Sequence, residues 1–111
     1  MAIQTASIAT SGTTVYTSIG NSAITFMSIC NYSASSVTAN VYIVPNGNSA
    51  GNTNISLAGL HLAAGNAGTG GGDTYQLYSG AEKIILSNGD HIVVDANTNS
   101  ALTVVTSYTQ I

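Results

Sequence analysis

Charged side chains are scarce in this sequence. They make up 5% of the 111 residues, against about 25% in ordinary soluble domains. Lys83 is the single basic residue besides two histidines, and the net charge is −3. Binding to nucleic acid or to an anionic membrane needs several cations, so neither partner is expected. With so few charges, copies of the chain repel one another weakly, which favours a homo-oligomer or packing against other proteins.

Cysteine is also scarce, and the sequence shows no signal peptide or membrane-spanning segment. Cys30 is the one cysteine, so an intrachain disulfide is excluded and Cys30 is predicted to be a small core residue. Residues 1–10 lack the basic start and apolar run of a signal peptide. No stretch approaches the roughly 20 apolar residues of a membrane span. We therefore expect a protein that stays in the cytoplasm where it is made, or that is released by lysis.

Strand signals dominate what is present. Short runs rich in Val, Ile, Thr and Tyr are separated by Gly, Asn and Ser, which is typical of a β-sandwich or barrel. We predict one domain over residues 1–111, an all-β antiparallel sandwich of jelly-roll or immunoglobulin-like type with about eight or nine strands. The predicted strands lie near residues 2–10, 13–18, 22–31, 36–45, 54–62, 73–79, 82–87, 90–96 and 101–109.

Three segments carry more specific signals. Asn88-Gly89 lies between two β-branched runs and predicts a type I′ hairpin turn, which needs positive φ at both residues. Pro45 cannot donate to a strand ladder and should end the fourth strand. The segment 55–64 fits neither a helical nor a strand period, and Gly59 interrupts it. An edge strand with a bulge is favoured there, with a helix as the alternative.

Alternation along the third predicted strand assigns its side chains to two faces. Strict alternation places Ile24, Phe26 and Cys30 on one face, with Met27 and Ile29 on the other. Apolar residues therefore occupy both faces. This pattern predicts a central strand, or a strand with one side against a neighbouring subunit.

A G-x-S-x-G pattern at 47–51 raises the question of catalysis. Ser49 is its central residue, and Asp90 and His91 follow in the chain order that some serine hydrolases use. A nucleophile elbow needs a strand, a strained turn and then a helix, whereas no helical period follows Ser49. We therefore predict an ordinary glycine-rich turn and no catalytic residue.

Phosphate and metal sites are weakly indicated. The glycine-rich segment 65–73 has no Lys at the P-loop position and no helix after it. His91 and Asp95 are too far apart along one strand to share an ion, since four residues span about 13 Å. Asp73 and Asp90 lie in predicted turns, where carboxylates can hold Ca²⁺. The favoured interpretation is that Asp90 caps its turn, so no cofactor or metal ligand is assigned.

The tyrosines are the candidate contact residues. Tyrosine is common at protein interfaces, and it also stacks on sugars in glycan-binding sandwiches. We favour subunit contact over a glycan platform because the chain has no tryptophan. The candidate interface residues are Tyr16, Tyr32, Tyr42, Tyr75, Tyr78, Tyr108, Ile3 and Ile111, and the candidate contact loops contain Asn46, Gly47, Ser49, Gly70, Gly71 and Gly72.

Two long stretches resemble small virion structural proteins of tailed bacteriophages. The similarity is carried by an early "TTVYTS", then "NSAIT", an "N-x-S" turn, "VYIVP-x-G", a late "LSNGD-x-I" and a final "V-x-SY". It covers most of the chain apart from the 60–75 loop. The resemblance implies a β-sandwich subunit that binds other virion proteins and performs no catalysis.

From this resemblance we expect a structural component of the virion, most simply a capsid decoration or cement protein that contacts the major capsid protein. Head-tail neck, tail and fibre-base positions are alternatives, as is a glycan-binding module for host attachment. Many neutral contacts, repeated on a lattice, would supply avidity. A homo-oligomer is expected, with a trimer as one form, and the ends of the chain are expected to add strands to exposed sheet edges.

Overall fold

The structure, a computed structural model, describes residues 2–64, 74–78 and 84–111. These residues form β-strands joined by turns, and among them no helix could span a membrane. The predicted all-β class is confirmed, and each predicted strand has an observed counterpart. The strands are β1 Ala2–Ser7, β2 Thr13–Thr17, β3 Ser22–Asn31, β4 Val37–Val44, β5 Ile55–Leu62, β6 Thr74–Leu77, β7 Ile84–Leu86, β8 His91–Ala96 and β9 Leu102–Gln110.

The strands form two antiparallel sheets that pack as a sandwich. The larger sheet has the order β1-β9-β3-β6, with the short β7 also paired to β3, and the smaller sheet has the order β2-β8-β4-β5. In an immunoglobulin-like sandwich the first two strands lie in the same sheet. Here β1 and β2 lie in opposite sheets, and the chain crosses repeatedly between the two layers, as in a jelly roll. The topology therefore decides between the two predicted types.

The core fills the space between the sheets. Its larger side chains are aliphatic and belong to strands of both sheets, so burying them holds the two layers together. Fully burying one such side chain contributes about 1.5–3 kcal/mol. The largest fully buried side chains of this core are Ile8, Ile24, Met27, Ile29, Leu62, Leu86, Ile92 and Leu102.

A bulge in β3 changes which side chains reach this core. The register with β9 passes from Ile24 opposite Tyr108 directly to Phe26 opposite Ser107, so Thr25 is an extra residue. Beyond the bulge, Met27 and Ile29 face the core, and Ile24 faces it too. The prediction that Ile24 shares a face with Phe26 is therefore wrong, because one inserted residue reverses the alternation.

The edge of the smaller sheet confirms two sequence predictions. β4 ends at Val44, directly before Pro45, and Asn48 N–H donates to the Pro45 carbonyl to close a turn. β5 is an edge strand whose register with β4 shifts twice. Gly59 lies within this irregular stretch with a φ of 66°, a conformation that residues with a Cβ rarely adopt.

The Asn88-Gly89 turn does not close a hairpin. β7, before the turn, pairs with β3 in the larger sheet, whereas β8, after it, belongs to the smaller sheet. Gly89 has a φ of 86°, but Asn88 is not among the residues with positive φ. Positive φ at the third turn residue alone is typical of a type II turn rather than type I′. The hairpin prediction is wrong because the turn carries the chain between sheets.

Two buried polar residues tie the sheets together at opposite ends. At one end, the hydroxyls of Tyr16 and Ser18 each donate to Ser22 Oγ, at 2.7 and 2.9 Å. At the other end, Asn31 is fully buried, and its Nδ2 lies 3.0 Å from the Leu62 carbonyl of the opposite sheet. Both contacts link β3 to the smaller sheet, because Tyr16 lies in β2 and Leu62 in β5.

Candidate interface on the larger sheet

The two sheets differ sharply in charge. Within the described part of the chain, the strands of the larger sheet carry no charged residue and no histidine. His61, His91 and Asp95 all lie on the smaller sheet, and Asp90 directly precedes β8. The described part of the outer face of the larger sheet is thus neutral, whereas the described charges lie on the other layer.

The most exposed hydrophobic residues collect at one end of this neutral face. Ile3 on β1 pairs with Ser107 on β9, and Ser107 pairs in turn with Phe26 on β3. Ala23, whose partner on β9 lies two residues beyond Ser107, pairs with Ile85 on β7. Ile3 is 70% exposed and Ile85 is 66% exposed. Because partners in register share a face, Ile3, Phe26 and Ile85 lie on the same outer face.

Two further exposed isoleucines lie at the same end. The Ile111 N–H donates to the Asn21 carbonyl at 3.0 Å, and Gln110 Nε2 donates to the Ile19 carbonyl at 3.0 Å. Ile19 and Ile111 are 74% and 66% exposed. We call Ile3, Ile19, Ile85 and Ile111 the isoleucine patch. A cluster of exposed apolar side chains is typical of a protein contact surface.

The structure brings only part of the predicted interface together. Ile3 and Ile111 both belong to the isoleucine patch, whereas the sequence reasoning missed Ile19 and Ile85. A signal for Ile85 existed, because alternation through Ile84, Ile85 and Leu86 must turn one of three apolar residues outward. For Ile19, which precedes a glycine in a turn, no periodic signal was available.

The predicted tyrosines do not form one surface. Tyr16 is only 3% exposed and packs against Tyr108, with the two rings tilted and their centroids 4.4 Å apart, so Tyr16 is a core residue and not an available contact. Tyr32 is 54% exposed but lies at the opposite end of the larger sheet from the isoleucine patch. Tyr75 lies in β6, and Tyr78 follows that strand with a φ of 56°.

Tyr42 has a structural role on the smaller sheet. Its hydroxyl donates to Asp95 Oδ2 at 2.9 Å, and Asn40 Nδ2 donates to Asp95 Oδ1 at 2.8 Å. Asn40 Oδ1 in turn accepts the Gly59 N–H at 2.8 Å. This network joins β8, β4 and β5 side by side. The hydrogen bond to Asp95, followed by burial and by the negative charge of Asp95, raises the pKa of Tyr42 above 10.0.

Replacing Tyr42 with phenylalanine tests this network through its pH dependence. We expect Tyr42→Phe to lower the free energy of unfolding by about 1 kcal/mol near neutral pH, since one hydrogen bond is lost. A raised folded-state pKa stabilises the fold fully below pH 10 and loses this contribution as the pH rises through that pKa. Chemical denaturation at several pH values should therefore show wild type and variant converging above pH 10. Tyr32→Phe, which leaves the Asp95 network intact, is the control.

The predicted contact loop with Asn46 and Gly47 lies at the same end of the sandwich as the isoleucine patch. Asp90 joins two turns there, because its carboxylate accepts the Asn46 N–H and the Ser87 N–H, each at 2.9 Å. The prediction that Asp90 caps its turn is confirmed. Gly47 follows Asn46 with a φ of 87°. The candidates Gly70, Gly71 and Gly72, like Asp73, lie outside the described residues.

The geometry around Ser49 is that of a loop. Ser49 is exposed, and its carbonyl accepts a hydrogen bond from Asn54 Nδ2 at 2.9 Å. The chain then continues into the edge strand β5 rather than into a helix. His91 Nδ1 lies 3.2 Å from the Gly89 carbonyl, and no hydrogen bond within the described ranges joins His91 to Ser49. A non-catalytic role stays a prediction.

Neither metal ligands nor known relatives identify a site. Within residues 2–64, 74–78 and 84–111, no three His, Cys, Asp or Glu side chains are grouped so that they could hold a metal ion. Comparison with protein-family models, with curated proteins and with solved structures finds no match to this chain. The candidate site therefore depends on the neutral outer face and its isoleucine patch.

Proposed function

We propose that this chain is a non-catalytic structural protein of a bacteriophage particle, acting as a capsid decoration protein that binds another virion protein. The observation that carries the proposal is the neutral outer face of the larger sheet, with Ile3 and Ile85 exposed on it. The resemblance of the sequence to virion proteins of tailed phages supplies the biological setting.

The chemistry of this face suits protein contact. Among the described residues, this face has no charged side chain. Burying it against a partner therefore avoids the large free-energy cost of removing an unpaired charge from water. Each isoleucine that becomes fully buried at a partner contributes about 1.5–3 kcal/mol. Repetition of such modest contacts on a capsid lattice gives tight overall attachment through avidity.

The fold is compatible with this role and does not by itself select it. Jelly-roll sandwiches serve as viral capsid domains and also as lectins, so the surface must discriminate between these uses. A glycan platform would need several tyrosine rings side by side. Tyr16 is buried, and Tyr32 and Tyr42 lie on different sheets, so the surface favours protein contact.

The test is incorporation into particles. Ile3→Gln combined with Ile85→Gln should lower the number of copies per purified particle at least about tenfold, because about 1.4 kcal/mol of lost affinity already gives that factor. Quantitative mass spectrometry of purified particles measures the copy number. Tyr32→Gln, at the other end of the same sheet, is the control and should be incorporated normally.

The wild-type copy number separates the possible positions. A number that matches capsid lattice positions supports decoration, whereas a few copies per particle would point to the neck or tail instead. Absence of the wild-type protein from particles would contradict the proposal. Normal incorporation of the double variant would show that the isoleucine patch is not the contact surface.

A further inference from the structure

The free edges of the two sheets are not equally protected. Natural proteins prevent unwanted pairing at edge strands with bulges, short strands, charges or proline. β2 and β5 both contain register shifts, and β6 and β7 are only 4 and 3 residues long. β1 has 6 residues in unbroken register with β9, and within it there is no charge, proline or bulge. Of the edges that the described residues form, β1 is the unprotected one.

Hydrogen bonding shows which backbone groups of β1 are free. Directly after β1, the Ile8 N–H donates to the Leu102 carbonyl at 3.1 Å. In an antiparallel pair, hydrogen-bonded and non-hydrogen-bonded residue pairs alternate. Since Ile8 bonds to the β9 side, Ala6 and Gln4, two and four residues before it, also bond to β9. The N–H and C=O groups of Ile3, Thr5 and Ser7 therefore point toward the free edge of the larger sheet.

We propose that β1 pairs antiparallel with β1 of a second copy of this chain, around a two-fold axis at Thr5. In this register Thr5 lies opposite Thr5 of the other copy, and Ile3 lies opposite Ser7. Each pair joins residues whose N–H and C=O groups are free at the edge. The two larger sheets then become one continuous sheet across the dimer, with no edge left at β1.

A second copy fits this edge better than an unrelated strand for two reasons. In this register, Ile3, Thr5 and Ser7 of one copy pair only with the same three residues of the other copy. The outer faces of the two sheets are therefore on the same side, as a continuous sheet requires. The net charge is −3, yet the described strands that would meet carry none of it, so pairing these strands places no like charges opposite each other. Thr–Thr is also a favourable cross-strand pair.

This dimer does not depend on the proposed function, since it uses the edge of the sheet and not its outer face. It also differs from the trimer considered in the sequence analysis, because a two-fold axis closes after two copies. Only one residue of the isoleucine patch, Ile3, lies in the proposed interface. The rest of the patch remains available for another protein.

Sedimentation of the full chain provides the first test. Wild type should sediment as a dimer. Thr5→Lys should raise the dissociation constant of this dimer at least about tenfold, because two like charges would then lie directly opposite each other. Thr14→Lys adds the same charge on β2, an edge strand of the smaller sheet, and should leave the dimer intact. Both threonines are exposed in the single chain, so neither variant should unfold it. A monomeric or trimeric wild type would overturn the proposal, as would a Thr5→Lys dimer of unchanged affinity.

Disulfide crosslinking tests the register. Cys30 is first replaced by serine, so that one introduced cysteine is the only thiol. Thr5→Cys should form a covalent dimer on oxidation, because Cα atoms about 5.5 Å apart in a hydrogen-bonded pair suit a disulfide. Ser7→Cys should not, since the two copies of residue 7 would be about 13 Å apart along the strands. Equal crosslinking of both variants, or none by Thr5→Cys, would overturn the proposed register.

Discussion

Replacing Asn31 with alanine should lower the free energy of unfolding by about 3–5 kcal/mol, the largest effect we expect from a single substitution. Asn31 is 0% exposed. Its Nδ2 donates to the carbonyls of Ser35, Leu62 and Ala63 at 2.9–3.2 Å, and its Oδ1 accepts from the Ser33 N–H and hydroxyl. Removing the amide leaves the buried Leu62 carbonyl unsatisfied, which costs about 1–3 kcal/mol, and it also removes the partly buried hydrogen bonds, each of which contributes about 0.5–1.5 kcal/mol.

Chemical denaturation monitored by circular dichroism would measure this loss. Asn99→Ala is the matched control, because Asn99 is exposed and its Oδ1 accepts one hydrogen bond, from the Thr10 N–H. It should lose less than about 1 kcal/mol. Asn31→Asp keeps the shape but directs a carboxylate at carbonyl oxygens, so it should destabilise at least as much as alanine. Equal losses for Asn31→Ala and Asn99→Ala would contradict the role assigned to Asn31.

Replacing Gly89 with alanine should lower the free energy of unfolding by about 2–4 kcal/mol, for two separable reasons. The first is the backbone, since Gly89 has a φ of 86° and a residue with a Cβ in the left-handed region is strained by about 1–3 kcal/mol. The second is steric, since an added Cβ would overlap the side chain of Asn46. The steric cause follows from the packing of the 87–90 turn against the 45–48 turn.

Gly47 provides a control for the backbone cause alone. It has nearly the same φ, 87°, and an added Cβ there meets nothing within 4 Å. Gly47→Ala should therefore show only the strain, and thermal unfolding of both variants would give the difference. Combining Gly89→Ala with Asn46→Ala should recover the steric part, as a double-mutant cycle can measure. If Gly47→Ala and Gly89→Ala are equally destabilised, the packing of the two turns contributes nothing.

The neutral face was partly predictable from the sequence. The scarcity of charge and the exposure of Ile3 and Ile111 were expected, and both residues lie in the isoleucine patch. The described charges lie on the smaller sheet because of which strands pair. This pairing could not be predicted, because neighbouring strands in a sheet come from distant parts of the sequence. For the same reason Tyr16 looked like a surface residue, whereas pairing of β2 with β8 directs it into the core.

The sequence by itself determined the strands, most of their ends and the irregular edge strand 55–62. These features follow from local properties: β-branched residues favour extended backbone, and Pro45 and the glycines interrupt it. Only the tertiary structure decided that Asn88-Gly89 joins two sheets and that Ile24 faces the core. It also decided that β1 has an unprotected edge. Each of these depends on strand pairing or on one bulged residue, and pairing is set by burial across the whole chain rather than by neighbours in sequence.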